Sequence, residues 1–114
     1  MYQAEKENSL TFEDFKKMDL RIAEIKDVEA IPDSDNLWKL TIDIGGERRQ
    51  LVAGLRKHYT REQLIGRQIT IIANLEPKKF RGVESQGMLL AAEEGNMVSL
   101  LIPDKKVKVG SRVH

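Results

Sequence analysis

The sequence predicts a mainly β domain: a small closed barrel of five short strands, with one short helix between the third and fourth. Three observations lead there. Short runs of alternating or β-branched apolar residues recur along the chain. Turn residues separate them at close intervals. Nowhere does a strand, a long helix and a second strand follow in the order a parallel sheet requires. The 114 residues make one domain. Surface scaling lets a chain of this size bury roughly two thirds of the surface it exposes when unfolded. Hydrophobic residues at 40% against charged residues at 32% describe a folded, soluble chain.

Residues 1–9 are polar (Gln3, Glu5, Lys6, Glu7, Asn8) and predict a flexible arm or an artificial leader, with the domain running over 10–114. Thr11-Phe12-Glu13-Asp14 has the form of a capping box and predicts a short helix through about Met18. From Leu20 to Ile31 the apolar residues fall at 20, 22, 25, 28 and 31, which fits either a helix or a strand bulged near Glu24. The β-branched content there favours the strand. Pro32-Asp33-Ser34-Asp35-Asn36 is turn chemistry.

Trp38, Leu40, Ile42 and Ile44 alternate with Lys39, Thr41 and Asp43, which predicts a half-buried strand. Gly45-Gly46 then makes a hairpin turn, and Glu47–Ala53 runs back. Arg48 and Arg49, adjacent in that strand, must point to opposite faces. Thr60-Arg61-Glu62-Gln63 is a second capping box, opening a helix that stops near Gly66. Arg67–Ala73 predicts a β-branched strand and Asn74–Gln86 a polar loop. Met88–Ala92 and Met97–Ile102 predict short strands, and Val107 with Val109 a last edge segment. Strand count and helix position match a five-stranded oligonucleotide/oligosaccharide-binding (OB) barrel best, with an SH3-like barrel next.

Catalysis finds little to work with. There is no cysteine, so thiolate metal sites, disulfides and cysteine nucleophiles are excluded. His58 and His114 are the only histidines, and neither has a second histidine at helical spacing. Asp33 and Asp35 read as an acidic turn cap before they read as a cation site. No nucleotide-binding glycine motif or nucleophile elbow occurs. The expectation is a non-enzyme with no catalytic residues, no metal and no cofactor. No apolar run approaches the ~18 residues of a membrane span and residues 1–15 lack a signal-peptide core, which makes the cytoplasm the expected compartment.

The net charge of +1 hides an uneven distribution. Residues 1–47 carry net −6, residues 48–82 net +7, and residues 83–114 net 0. A positive middle on a neutral whole is the pattern of a localised anion-binding face, and equally of a solvated basic surface. Its densest part is Lys78-Lys79-Phe80-Arg81-Gly82, ahead of Ser85, Gly87 and Met88. Cations contact phosphate, while an aromatic ring or thioether can stack on a base. Phe80 itself is expected as a core plug.

The whole segment, Asn74-Leu75-Glu76-Pro77-Lys78-Lys79-Phe80-Arg81-Gly82-Val83-Glu84-Ser85-Gln86-Gly87-Met88-Leu89-Leu90-Ala91, resembles the signature of the tRNA-binding OB domain. That module occurs at the C-terminus of many methionyl-tRNA synthetases, as a free-standing protein, and in tyrosyl-tRNA synthetase and synthetase-associated factors. The likeness continues through Phe15, Asp19-Leu20-Arg21-Ile22, Pro32 to Leu37 and Gln50 to Leu55, about residues 10–112 in all. It implies an OB barrel and a bulged first strand. It also implies a non-catalytic domain that grips tRNA by shape, working with the catalytic region of methionyl-tRNA synthetase. A homodimer built on terminal segments is implied too. The tRNA-facing positions it implies are Lys39, Arg48, Arg49, Asn74, Lys78, Lys79, Arg81, Ser85 and Met88. Ile31, Asn36, Ala53 and Glu76 depart from the usual His, Lys, Ser and Lys, and two of these departures remove positive charge. The alternative is a protein-binding OB module, either a chaperone or a synthetase-complex scaffold.

Overall fold

The structure is a computed structural model and describes residues 8–114. Residues 1–7, most of the predicted N-terminal arm, lie outside the described residues. The elements run α1 (Phe12–Lys16), β1 (Leu20–Ala30), β2 (Trp38–Asp43), β3 (Arg48–Ala53), α2 (Arg61–Leu64), β4 (Gln68–Ile72), β5 (Lys78–Phe80), β6 (Val83–Ser85), β7 (Met88–Leu89), β8 (Ala91–Glu94), β9 (Met97–Leu100) and β10 (Arg112–Val113). Five strands form one antiparallel path in the order β3-β2-β1-β4-β7, and β10 pairs with β1. The path curls into a nearly closed barrel of the OB type, with α2 between β3 and β4 as expected.

Both capping boxes form. The Thr11 hydroxyl accepts the Asp14 amide at 3.0 Å and the Thr60 hydroxyl accepts the Gln63 amide at 3.2 Å. Each side chain at the fourth position reaches back to the cap amide. These boxes start helices too short to persist alone. Packing finishes α2, because Leu64 is fully buried in the core beside Ile25, Ile42, Ile69 and Ile71. Trp38 covers one end of that core and donates its indole N–H to the Tyr59 carbonyl at 2.8 Å. The Tyr59 hydroxyl in turn accepts the Leu100 amide at 3.1 Å.

β1 is a strand throughout, and its slipped apolar period has a mechanical cause. Ile25 pairs with Ile42 and Asp27 with Thr41, so Lys26 is the bulged residue, two positions after Glu24. The bulge lets one strand pair with β4 along its first half and β2 along its second. Segment 74–86, expected as a loop, contains the β5–β6 hairpin. Its turn residues Arg81 (φ 53°) and Gly82 (φ 80°) are both left-handed, the geometry that matches the twist of the flanking strands.

The predicted strand Met88–Ala92 is broken at Leu90. The Leu90 amide donates to the Thr70 carbonyl and its carbonyl accepts the Leu101 amide, so the chain changes partners there. Val107 and Val109 are not in a strand. The Gln68 side-chain amide holds the Val107 backbone in both directions, at 2.5 and 3.1 Å, and the last pairing with β1 forms at Arg112–Val113 instead.

Candidate nucleic-acid interface

The β2–β3 register decides which basic residues share a face. Leu40 opposes Leu51 and Ile42 opposes Arg49, and both leucines and Ile42 are core. Lys39, Thr41 and Asp43 therefore share the outer face with Val52, Gln50 and Arg48. Arg48 is exposed there. Arg49 belongs to the core-facing set, and its guanidinium emerges at the barrel's end. There it donates to Glu47 Oε2 at 2.7 Å and to the Ala73 carbonyl.

The β5–β6 hairpin docks along the free edge of β3. The Val52 amide donates to Ser85 Oγ at 3.0 Å, and the Gln50 side chain donates to the Glu84 carbonyl at 2.8 Å. The Gln86 amide donates to the Gln50 carbonyl, and the Gln50 amide to Gln86 Oε1. Lys78 opposes Ser85, Ser85 bonds Val52, Val52 opposes Lys39, and Lys39 pairs with Glu29 at 3.7 Å.

Period two puts Lys78 and Phe80 on one side of the hairpin and Lys79 on the other. The Lys78 ammonium lies 5.2 Å from the Phe80 ring centroid, and Lys79 faces Glu84 across the ladder. Lys78, Lys79 and Arg81 are all exposed. Among the described residues none of the three sits in an ion pair. Phe80 is half-buried and lies outside the core cluster, because the hairpin lies on the barrel's outer wall. The expectation of a core plug therefore does not hold.

The other expected residues are placed as follows. Ser85 is 2% exposed, and its hydroxyl also donates to the Gly87 carbonyl at 2.8 Å, so its one proton is used within the chain and it fixes the hairpin. Asn74 bridges the Asp19 amide (2.8 Å) and the Lys17 carbonyl (2.6 Å), tying α1 to the end of β4. Met88 is half-buried in a cleft with Phe80, Leu37 and Val52. The Arg21 guanidinium, 2.9 Å from Asp19, holds the Asp19 carboxyl below the usual carboxylate range by hydrogen bonding. His58 is exposed. Among the described residues no group of three or more histidine or acidic side chains is arranged to hold a metal, and no helix is long and apolar enough to cross a membrane.

Sequence reasoning missed this cleft and the two stacked arginines near it. Arg56 lies 5.0 Å from the Trp38 ring and Arg67 5.6 Å from the Tyr59 ring. No spacing rule links residues 37, 52, 80 and 88; only the hairpin's docking does.

A barrel of the OB type with a basic hairpin at its β3 edge belongs to a class that binds oligonucleotides or oligosaccharides. The comparisons narrow it. The family described as "Putative tRNA binding domain" matches residues 20–112, and the chain belongs to that family. It is 58% identical over 102 residues to the methionine–tRNA ligase of Thermococcus onnurineus, covering 90% of this chain and 14% of that protein. With the Thermotoga maritima methionine–tRNA ligase it shares 48% identity over 94% of this chain and 17% of the relative. The chain thus spans about one sixth of these relatives or less. Among solved structures, a MetRS related protein from Pyrococcus horikoshii superposes with TM-score 0.86 at 37% identity, over 93% of this chain and 98% of that one. The chaperone CsaA of Bacillus anthracis does so with TM-score 0.83 at 33% identity, over 93% and 99%.

Proposed function

We propose that this chain is a non-catalytic tRNA-gripping module that raises the local concentration of tRNA at the catalytic region of methionyl-tRNA synthetase, as its appended domain or as a separate subunit. It works as a homodimer in the cytoplasm. The observation that carries the reading is the β5–β6 hairpin. It presents Lys78, Lys79 and Arg81, free of ion pairs among the described residues, on a stem fixed by Gln50, Val52, Ser85 and Gln86. Cations held in place without partners suit phosphate, and a shape common to all tRNAs needs no base-edge reading. Lys39 and Arg48, on the outer face of β2 and β3, add positive groups to this side of the barrel. Asn74 and Ser85 act by holding the scaffold, and Arg49 by bracing the barrel's end.

The likeness to a chaperone of the same fold favours a second reading, a protein-binding module. Native gel shift with bulk tRNA at low and high salt separates the two. A shift that weakens with salt supports the first. No shift at either salt, with capture of an unfolded polypeptide, supports the second.

A further inference from the structure

After β9 the chain runs back over β4 and β1 as an irregular strap, residues 101–111, and the barrel fixes it at several points. The Thr70 amide donates to the Leu101 carbonyl at 3.1 Å, and the Gln68 side chain holds both the amide and the carbonyl of Val107. The Gly110 amide donates to the Ile22 carbonyl at 2.7 Å. The Ser111 amide and hydroxyl both donate to the Lys108 carbonyl, at 3.0 and 2.6 Å. Gly110 sits so close to the β2–β3 turn that a Cβ there would stand 2.8 Å from the Ile44 carbonyl oxygen. The backbone that carries Lys105, Lys106 and Lys108 is thus anchored before and after them, while all three residues are exposed.

The lysines of this chain divide by partner. Lys16, Lys17, Lys26 and Lys39 each stand 3.1–3.7 Å from a carboxylate. Among the described residues, the lysines outside any ion pair are Lys57, Lys78, Lys79, Lys105, Lys106 and Lys108. All but Lys57 belong to the basic hairpin or to the strap. On the strap, three cations fall within four positions, beside the single acid Asp104. Like charges this close repel one another, and a polyanion relieves the repulsion while its own counterions are released. An ammonium is a point charge without a planar fork, so it accepts phosphate oxygens from many directions. We infer that the strap is a second RNA contact, in which Lys105, Lys106 and Lys108 bind backbone phosphates. It lies against β1 and β4, apart from the hairpin at the β3 edge, with β2 between β3 and β1 in the sheet. The inference rests on the tRNA-binding reading and adds to it a site that shares no residue with the hairpin.

Two double variants with the same change of charge make the test. Lys105→Ala/Lys106→Ala lies on the strap. Lys16→Ala/Lys17→Ala lies on α1, where each lysine already has a carboxylate partner. Binding of bulk tRNA is measured across a salt series. The strap variant should flatten the slope of log affinity against log salt by a little under two units, and the α1 variant should leave it as in the wild type. Amine labelling of the unsubstituted chain, read by mass spectrometry, adds a local readout that needs no variant. Bulk tRNA should protect Lys105, Lys106 and Lys108 and leave Lys16 and Lys17 as reactive as before.

Equal flattening by the two variants overturns the inference, because the effect is then one of net charge. So does labelling of Lys105, Lys106 and Lys108 that is as fast with tRNA as without it while Lys78→Ala weakens tRNA binding, a result that leaves the tRNA reading standing. Protection without any change of slope in the strap variant means burial against a second copy and also overturns the inference. No binding of tRNA at all removes both.

Discussion

Ser85 Oγ accepts the Val52 amide at 3.0 Å and donates to the Gly87 carbonyl at 2.8 Å. One buried hydroxyl thus satisfies a β3 donor that has no strand partner on that side and clamps the turn that follows the hairpin. The basic tip is thereby coupled to the barrel, and its position is set by core packing three residues away. The placement of the basic tip therefore depends on a buried hydroxyl.

Ser85→Ala is expected to leave the Val52 amide buried and unpaired, at a cost of about 1–3 kcal/mol in stability. Denaturant unfolding measures this. tRNA affinity should fall as well, with the slope of log affinity against log salt unchanged, since no phosphate contact is removed. A variant with wild-type stability would show that the hydroxyl does not hold the hairpin.

Lys78→Ala, Lys79→Ala and Arg81→Ala should behave differently. Each removes one exposed cation and should flatten the salt slope by a little under one unit. The starting slope is expected at about −3 to −5, for roughly 4–6 phosphate contacts. Each variant should weaken different tRNAs by a similar factor, and stability should change by about 0–1 kcal/mol. A folded triple variant that still binds tRNA at full strength places the site on another surface.

Gly87 has a backbone reason to be glycine. Its φ is 125°, and a Cβ there would stand 2.8 Å from the Ile72 carbonyl oxygen. Gly87→Ala should destabilise by about 1–3 kcal/mol through backbone strain alone, with the clash adding to it. Thermal unfolding checks it, and an unchanged midpoint would mean that β7 shifts freely.

The sequence made the β2–β3 hairpin legible because its alternation and its Gly45-Gly46 turn are local. Both capping boxes were legible for the same reason. The β5–β6 hairpin was not, because each strand is three residues long and its stem is fixed by Gln50 and Val52, more than thirty positions away. The roles of Ser85 and Asn74 were hidden in the same way. Both bond their own chain, which shows only once their hydrogen bonds are traced. The face shared by Lys39 and Arg48 needed only the strand register, which the paired arginines already hinted at. The break at Leu90 required knowing that its amide bonds Thr70 and its carbonyl bonds Leu101.

Asp19 gives a small pH prediction. Its carboxyl is held below the usual range by Arg21, so the folded state binds this proton less readily than the unfolded state. The stabilisation is fully present above the ordinary carboxylate pKa of about 4 and is lost as pH falls through the lowered folded value. Asp19→Asn should therefore narrow the stability difference between neutral and acid pH. An acid limb as steep as wild type's would show that the ion pair contributes nothing.

The final prediction concerns assembly, and it follows from what the C-terminal segment leaves uncovered. Leu100 enters the core at 6% exposure, so β9 is anchored. Around it Met97 is 57% exposed, Leu101 45%, Ile102 53% and Val107 37%. Single exposed apolar residues are ordinary on a monomer, but these four fall within eleven positions. Ile102 and Val107 also line one hollow with Val113. The chain's own N-terminal helix does not cover them, since the residues of α1 line a different hollow beside Val113 and His114. A second copy could bury both sets through a two-fold interface. Light scattering at micromolar concentration is expected to report twice the 13.0 kDa chain mass. Ile102→Glu should halve that value while leaving the unfolding transition cooperative, because the side chain is outside the core. A wild-type mass of 13.0 kDa would remove the dimer from the proposed function.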